Sequence, residues 1–192
     1  MFSDEVRLCL RHTDRRRRVY RRIGEEHADA CVERVTAFGG GSIMVWGGIS
    51  LRGKTQLVVV DGNLNSERYI NQILSPHVVP FAQRIGDDFV FQQDNARPHT
   101  AQATANYLHA EGVQVMAWPA CSPDLNPIEQ LWDQLKRAVY RRMDGQSTMA
   151  DLRRVILEEW DRIPNFRVVN LIRSMRRRTA DCFQANGGYI RY

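Results

Sequence analysis

Lysine is nearly missing from this chain. Of the 27 lysine and arginine side chains among its 192 residues, only Lys54 and Lys136 are lysine, so arginine carries the positive charge. Cysteine is also sparse: Cys9, Cys31, Cys121 and Cys182 are scattered, form no C-x-x-C pair and hold no zinc spacing with the five histidines. That excludes a zinc finger or ribbon, speaks against a disulfide framework, and leaves four free thiols as the expectation. No apolar run approaches the roughly 18–20 residues of a membrane span, so no membrane partner is expected. The first residues lack a basic-then-apolar leader, with Asp4 and Glu5 appearing almost at once. No internal repeat or low-complexity linker breaks the chain. At roughly 150 residues per domain the expectation is one soluble intracellular domain, or one domain with an appendage.

What the chain does have is hydrophobic material for a core, at 43% of residues, and a formal net charge of +5. The distribution of charge says more than the total. Arginines cluster at Arg15, Arg16, Arg17 and Arg18, at Arg21 and Arg22, at Arg141 and Arg142, and at 176–178. Guanidinium forks match phosphate oxygens two at a time, so these clusters suggest a polyanion such as nucleic acid. A solvated arginine-rich face accounts for the same residues, and charge alone does not separate the two.

Periodicity gives the order of elements. Residues 2–10 alternate, with Phe2, Asp4, Val6, Leu8 and Leu10 on one face and Ser3, Glu5, Arg7 and Cys9 on the other, which predicts a strand. A polar stretch at 11–37 is long for a hairpin loop. Residues 42–50 read as a buried strand, with Gly47 and Gly48 marking a close approach or bulge, and 55–60 as its antiparallel partner. Residues 65–84 have helical spacing, with Pro76 and Pro80 expected to bend or divide the helix. A short strand at 88–93 follows. Next come a helix at 100–111 with Ala101, Ala105 and Leu108 on one face, and a strand at 113–116. Helices are expected at 128–142, 148–162 and 168–184. This order predicts an α/β fold, a mixed five-stranded sheet flanked by helices and followed by C-terminal helices. RNase H-like folds share it, although order alone does not decide.

Three carboxylates stand at element ends. Asp4 lies in the first strand, Asp94 follows the apolar run 89–91, and Glu129 opens the helix after a proline-rich loop. If the first and fourth strands are neighbours, Asp4 and Asp94 can share a divalent cation and Glu129 can hold a second. Two such ions about 4 Å apart would serve an in-line phosphoryl displacement. The plain alternative stays open: Glu in a first helical turn suits the macrodipole, and Asp after a strand often starts a turn. Glu5 should point to the face opposite Asp4 and is not expected to be a ligand. Trp46, Trp132 and Trp160 read as core. Asp124 or Asn126 would cap the helix, with Pro127 in its first turn.

Longer sequence words sharpen this reading. They are FSDE at 2–5, FGGGSIMVWGGIS at 38–50, QQDNARPHTA at 92–101, WPACSPDLNPIEQLWDQLK at 118–136 and SMRRR at 174–178. In order and coverage they resemble the catalytic domain of the Tc/mariner superfamily of transposases. The 34 residues at 95–128, between Asp94 and Glu129, resemble the spacing of the Asp-Asp-Glu form of that family's triad. The resemblance implies an RNase H-like DDE domain over 1–192, with Asp4, Asp94 and Glu129 as catalytic and metal-binding residues. It also implies two Mg²⁺ or Mn²⁺ ions, and cleavage and strand transfer of DNA. Asn95 and His99 follow Asp94 within the motif as supporting residues, His99 being equally readable as a buried structural histidine. The stretch at 11–37 falls where mariner-type enzymes insert a clamp-like loop, whose Arg15, Arg16, Arg17, Arg18, Arg21 and Arg22 would meet DNA phosphates or a second protomer of a homodimer.

One feature of the family is not seen: no helix-turn-helix pattern precedes Phe2. The expectation is therefore a truncated core whose DNA binding is nonspecific. A catalytically silent remnant that binds DNA or a partner subunit is the alternative. In a eukaryotic source the nucleus would be its compartment.

Overall fold

The computed structural model describes residues 1–11, 40–120 and 122–187. Alternation builds its centre. Strand β1 (Phe2–Cys9) pairs antiparallel with β2 (Ser42–Ser50) along its whole length, Asp4 facing Gly47 and Glu5 facing Trp46. On its other edge β2 takes two short strands, β3 (Gly53–Lys54) and β4 (Val58–Val60). A turn at Leu51 and Arg52 closes the hairpin. Beyond β1 lie β5 (Val90–Phe91) and β6 (Gln114–Val115), paired parallel to each other.

The join between the two halves is a single parallel bridge from Phe2 to Gln92. Gln92 N donates to the Met1 carbonyl at 2.8 Å, and Ser3 N donates to the Gln92 carbonyl at 3.2 Å. The expected mixed sheet is present. It differs in having six strands among the described residues rather than five: of the hairpin partner expected at 55–60 only β4 at 58–60 forms, β3 precedes it at 53–54, and β5 and β6 are two residues each.

Period-2 alternation sends neighbouring side chains to two separate cores. Val45 faces α5 (Pro127–Arg142), α6 (Met149–Arg162) and α7 (Asn165–Arg173), alongside Val6 and Leu8. Trp46 faces the opposite layer, built by the helical stretch 66–85 and α4 (Gln102–Ala110). The result is a sheet covered by helices on both faces, with β1 in its interior.

Pro76 does not divide its helix. The chain runs unbroken from α1 (Ser66–Tyr69) through a π-helical segment (Ile70–Val78) into α2 (Val79–Ile85). Val79 N bonds back to the Leu74 carbonyl, five residues earlier. The wider π register accommodates a ring that lacks an N–H and would crowd an α-helical carbonyl. Past the site strand, α3 (Arg97–Thr100) precedes α4. In α4, Ala105 faces solvent and Thr104 is buried in its place, because its hydroxyl donates to the Pro98 carbonyl at 2.7 Å. The helix expected over 168–184 is two, α7 and α8 (Met175–Gln184), parted at Ser174. Thr148 and Asp151 form a capping box at the start of α6. Among the described residues Cys9 and Cys182 are free thiols, and no helix is long and apolar enough to cross a membrane.

The α5 stripe holds one core together. Leu135, 1% exposed, sits in it. Leu135→Ala should lower unfolding free energy by roughly 2–5 kcal/mol, the usual range for a buried leucine. The control Phe183→Ala, on a side chain that is 86% exposed, should change it by less than about 0.5 kcal/mol. Urea denaturation followed by circular dichroism reads both.

Candidate active site

Asp4 enters the site from the middle of the sheet. Its Oδ2 accepts a hydrogen bond of 2.9 Å from the indole N–H of Trp132 on α5. Burial pushes its pKa up to about 7, helped by the like charges of Glu129 and Glu5, and the Trp132 bond works in the opposite direction. The adjacent strand position behaves as alternation predicts. Glu5 lies on the other face, yet it is not idle: its Oε1 stands 3.3 Å from Nε2 of His99.

His99 is 4% exposed and bridges two acids. Its Nδ1 is 2.5 Å from Asp94 Oδ1 and its Nε2 faces Glu5. Burial alone would lower its pKa, but the hydrogen bonds to Asp94 and Glu5 outweigh that and raise it to about 9. At neutral pH it is an imidazolium with both N–H groups donating. Asp94 responds in the opposite sense: the His99 bond holds its carboxyl below the ordinary value, with the Ala96 N–H, 2.9 Å from Oδ1, adding to it against the cost of burial. Oδ2 of Asp94 makes no hydrogen bond among the described residues. Behind His99, Tyr69 packs with a ring-centroid separation of 4.3 Å. The Tyr69 hydroxyl donates to Gln93 Oε1 at 2.9 Å, and Gln93 Nε2 donates to the His99 carbonyl at 3.3 Å. Glu5 and Gln93 lie inside the motif words and Tyr69 outside them, but none showed this role in sequence, since it depends on a histidine ninety-four residues from Glu5.

Glu129 is set by the start of α5. Asn126, not Asp124, caps the helix, its side chain accepting from Ile128 N, while its Nδ2 donates to the Ser3 carbonyl at 3.3 Å. One residue therefore fixes both the helix carrying Glu129 and the strand carrying Asp4. Burial raises the Glu129 pKa, with Lys136 partly offsetting it. From α8 the buried Arg178 donates to Gln130 Oε1 and Ser174 Oγ, bracing the same helix. Asn95 turns to the neighbouring loop, donating to the Trp118 carbonyl at 3.0 Å, and Trp118 meets Phe2 edge-on with centroids 6.3 Å apart.

Asp4, Asp94 and Glu129 thus line one open cavity of about 350 Å³, together with Asn95, Trp118 and Asn126. Larger hollows exist: one of about 500 Å³ beside α5, α7 and α8 is lined by no acid, and one of about 470 Å³ between β2, β4 and α6 holds Asp61 as its single acid. Chemistry rather than size selects the candidate. Among the described residues no three or more His, Cys, Asp or Glu side chains stand close enough together to hold a metal ion as they are placed. The donor set nonetheless suits a hard divalent cation. It offers carboxylate oxygens, and two of the three have pKa values raised by burial, Asp4 also by like charge, a penalty that a cation would relieve. Arg15, Arg16, Arg17, Arg18, Arg21 and Arg22, and the clamp-like stretch they belong to, lie outside the described residues.

Comparison with known proteins gives the family and the fold. The family described as DDE superfamily endonuclease matches residues 1–150. The Tc3 transposase of Caenorhabditis elegans is 36% identical over 195 residues, which take in 100% of this chain and 57% of that protein. The Tcb1 transposase of Caenorhabditis briggsae is 34% identical over 196 residues, covering 100% of this chain and 70% of its own length. The chain therefore spans between 57% and 70% of these relatives. Among solved structures, the Mos1 transposase paired-end complex with left transposon end superposes with a TM-score of 0.74 at 21% identity, covering 98% of this chain and 55% of that one. The Mos1 transposase catalytic domain with Raltegravir and Mn gives a TM-score of 0.66 at 21% identity, covering 78% of each chain. The shared fold is RNase H-like.

The raised Asp4 pKa has a consequence for stability. In the folded chain Asp4 keeps its proton up to about pH 7, whereas an ordinary aspartate loses it near 3.8. Because the native state binds the extra proton, Asp4 makes stability fall as pH rises across that window, by at most about 4 kcal/mol. Asp4→Asn keeps an acceptor for the Trp132 N–H and removes the charge. Without metal it should be more stable than the parent at pH 8, by roughly 1–3 kcal/mol, and closer to it at pH 4. Urea denaturation at the two pH values tests this.

Proposed function

The chain belongs to the DDE superfamily endonucleases, in their Tc/mariner transposase branch, and from that membership we propose that it is a metal-dependent core for cleaving and joining DNA strands. The observation that carries the reading is that Asp4, Asp94 and Glu129, drawn from a strand, a post-strand loop and a helix start, open on one cavity. Asp4, Asp94 and Glu129 would hold Mg²⁺ or Mn²⁺, two ions in the full site, supplying charge neutralisation at the scissile phosphate and a lower pKa for the attacking water or 3′-hydroxyl. Solved Mos1 catalytic domains with Mn and with Mg support this choice of metals.

The chain's own residues supply the rest. His99 keeps Asp94 ionised at neutral pH, so this ligand is ready before DNA arrives. Asp4 is fixed by an N–H that adds no positive charge to the site. Asn126 ties its helix start to β1, holding Glu129 and Asp4 in a common frame. The cavity is open rather than enclosed by side chains, which suits a polymeric substrate laid across it. DNA is the proposed partner, as it is for Mos1 in its paired-end complex. The arginine excess would contribute salt-sensitive, sequence-independent contacts to phosphates. A second protomer, and nuclear action in a eukaryotic host, belong to the same proposal.

Supercoiled plasmid with Mn²⁺ or Mg²⁺ tests the reading. The wild-type chain should nick it, and Asp94→Ala should lose at least about 100-fold in rate, or roughly 2.7 kcal/mol of transition-state stabilisation. Nicking that survives Asp94→Ala would show that the cut is not made at this site, and its absence from folded wild-type chain that still binds DNA would favour the silent remnant.

A further inference from the structure

Three tryptophans are buried in this protein, and their indole N–H groups meet three different fates. Trp160 donates to the Thr55 carbonyl at 2.9 Å. Trp46 has no acceptor among the described residues. Trp132 alone donates to a carboxyl side chain, through Oδ2 of Asp4. A buried indole can thus be satisfied by a backbone carbonyl or left without an acceptor, so the pairing with Asp4 is not forced by burial.

The surroundings are shaped for that contact. Gly47 faces Asp4 across the β1–β2 ladder. A Cβ at this position would stand 2.9 Å from Cη2 of Trp132 and 3.1 Å from Cη2 of Trp160. Gly47 is not among the glycines with positive φ, so its backbone does not require glycine and the space does. The two indoles stack, with centroids 5.2 Å apart and planes inclined by 29°. Trp160 is anchored in turn through Thr55, whose N–H donates to the Gly48 carbonyl at 2.8 Å and whose Oγ1 accepts from Gly48 N at 2.9 Å. A continuous line of contacts runs from β2 through both rings to the Asp4 carboxylate.

We propose that Trp132 is a positioning residue for metal binding: its N–H holds Oδ2 of Asp4 and leaves Oδ1 to meet the divalent cation, in a slot that Gly47 keeps open. The assignment rests on the proposed metal-dependent function. An indole suits the task because it fixes one carboxylate oxygen without bringing a positive charge that would repel the cation, as arginine or lysine would. Outer partners of this kind are typically worth 10–100-fold in metal affinity.

The test is Mn²⁺ affinity of the full chain without DNA, by calorimetric titration, with folding checked by circular dichroism. Trp132→Phe keeps a ring against Trp160 but removes the N–H, and should weaken Mn²⁺ binding by about 10-fold. Phe183→Ala, on an exposed side chain of α8, should leave the affinity near wild type. Equal affinity of Trp132→Phe and wild type overturns the proposal while the function stands; if wild type binds no Mn²⁺, both fall. Should Trp132→Phe not fold, the wild-type indole signals decide. On titration with Mg²⁺ the Trp132 N–H resonance should shift in step with binding while that of Trp160 stays in place, and an unmoved Trp132 signal overturns the assignment.

Discussion

The seam between β1 and β5 is the constraint on which the site depends. One parallel bridge and the hydrogen bonds joining Gln92 to Met1 and Ser3 bring the two halves of the sheet together. Ser3 adds a third link, its hydroxyl donating to the Gln92 carbonyl at 2.9 Å. Asp4 follows Ser3 directly and Asp94 lies two residues past Gln92, so aligning the strands aligns the acids. The seam is short, yet Ser3 and Gln92 are almost fully buried, and unmade backbone bonds there would be costly. Asn126 then ties α5 to the Ser3 carbonyl, so the third acid is referenced to the same point on the sheet.

The acids at this site are held by different means. Asp94 has a buried cation, His99, which is itself shared with Glu5. Asp4 has neutral donors, the Trp132 indole and the backbone N–H of Glu5, and its pKa records burial first and then the crowding of Glu129 and Glu5. Glu129 has Lys136 one helical stretch away, too little to cancel burial. The arrangement leaves a cavity that is short of positive charge on the Asp4–Glu129 side. A divalent cation would bring what the protein withholds, and the strain of like charges in its absence is what a site built for such an ion should show.

Much of the fold was legible because hydrophobic periodicity reports burial directly. The β1 alternation and the α5 and α6 stripes are local patterns, and each element forms where its pattern lies. Local patterns misjudged what depends on hydrogen bonding. Pro76 stays inside a helical stretch because a π register accommodates it, and Thr104 replaces Ala105 on the buried face because Pro98 offers its hydroxyl an acceptor. The triad was legible through its motif words, and Trp132 as core through its place on the stripe. The second use of Trp132, the histidine bridge to Glu5 and the double duty of Asn126 were not. Each joins residues that are far apart in sequence, and each is written in the three-dimensional packing rather than in spacing.

Anomalous diffraction from crystals of the chain grown with Mn²⁺ tests the central claim most directly, because it locates the ion without any assay. Anomalous density is expected in the cavity lined by Asp4, Asp94 and Glu129, with oxygen ligands from Asp4 and Asp94. Mn²⁺ density confined to other surfaces, with this cavity empty at saturating Mn²⁺, would contradict it.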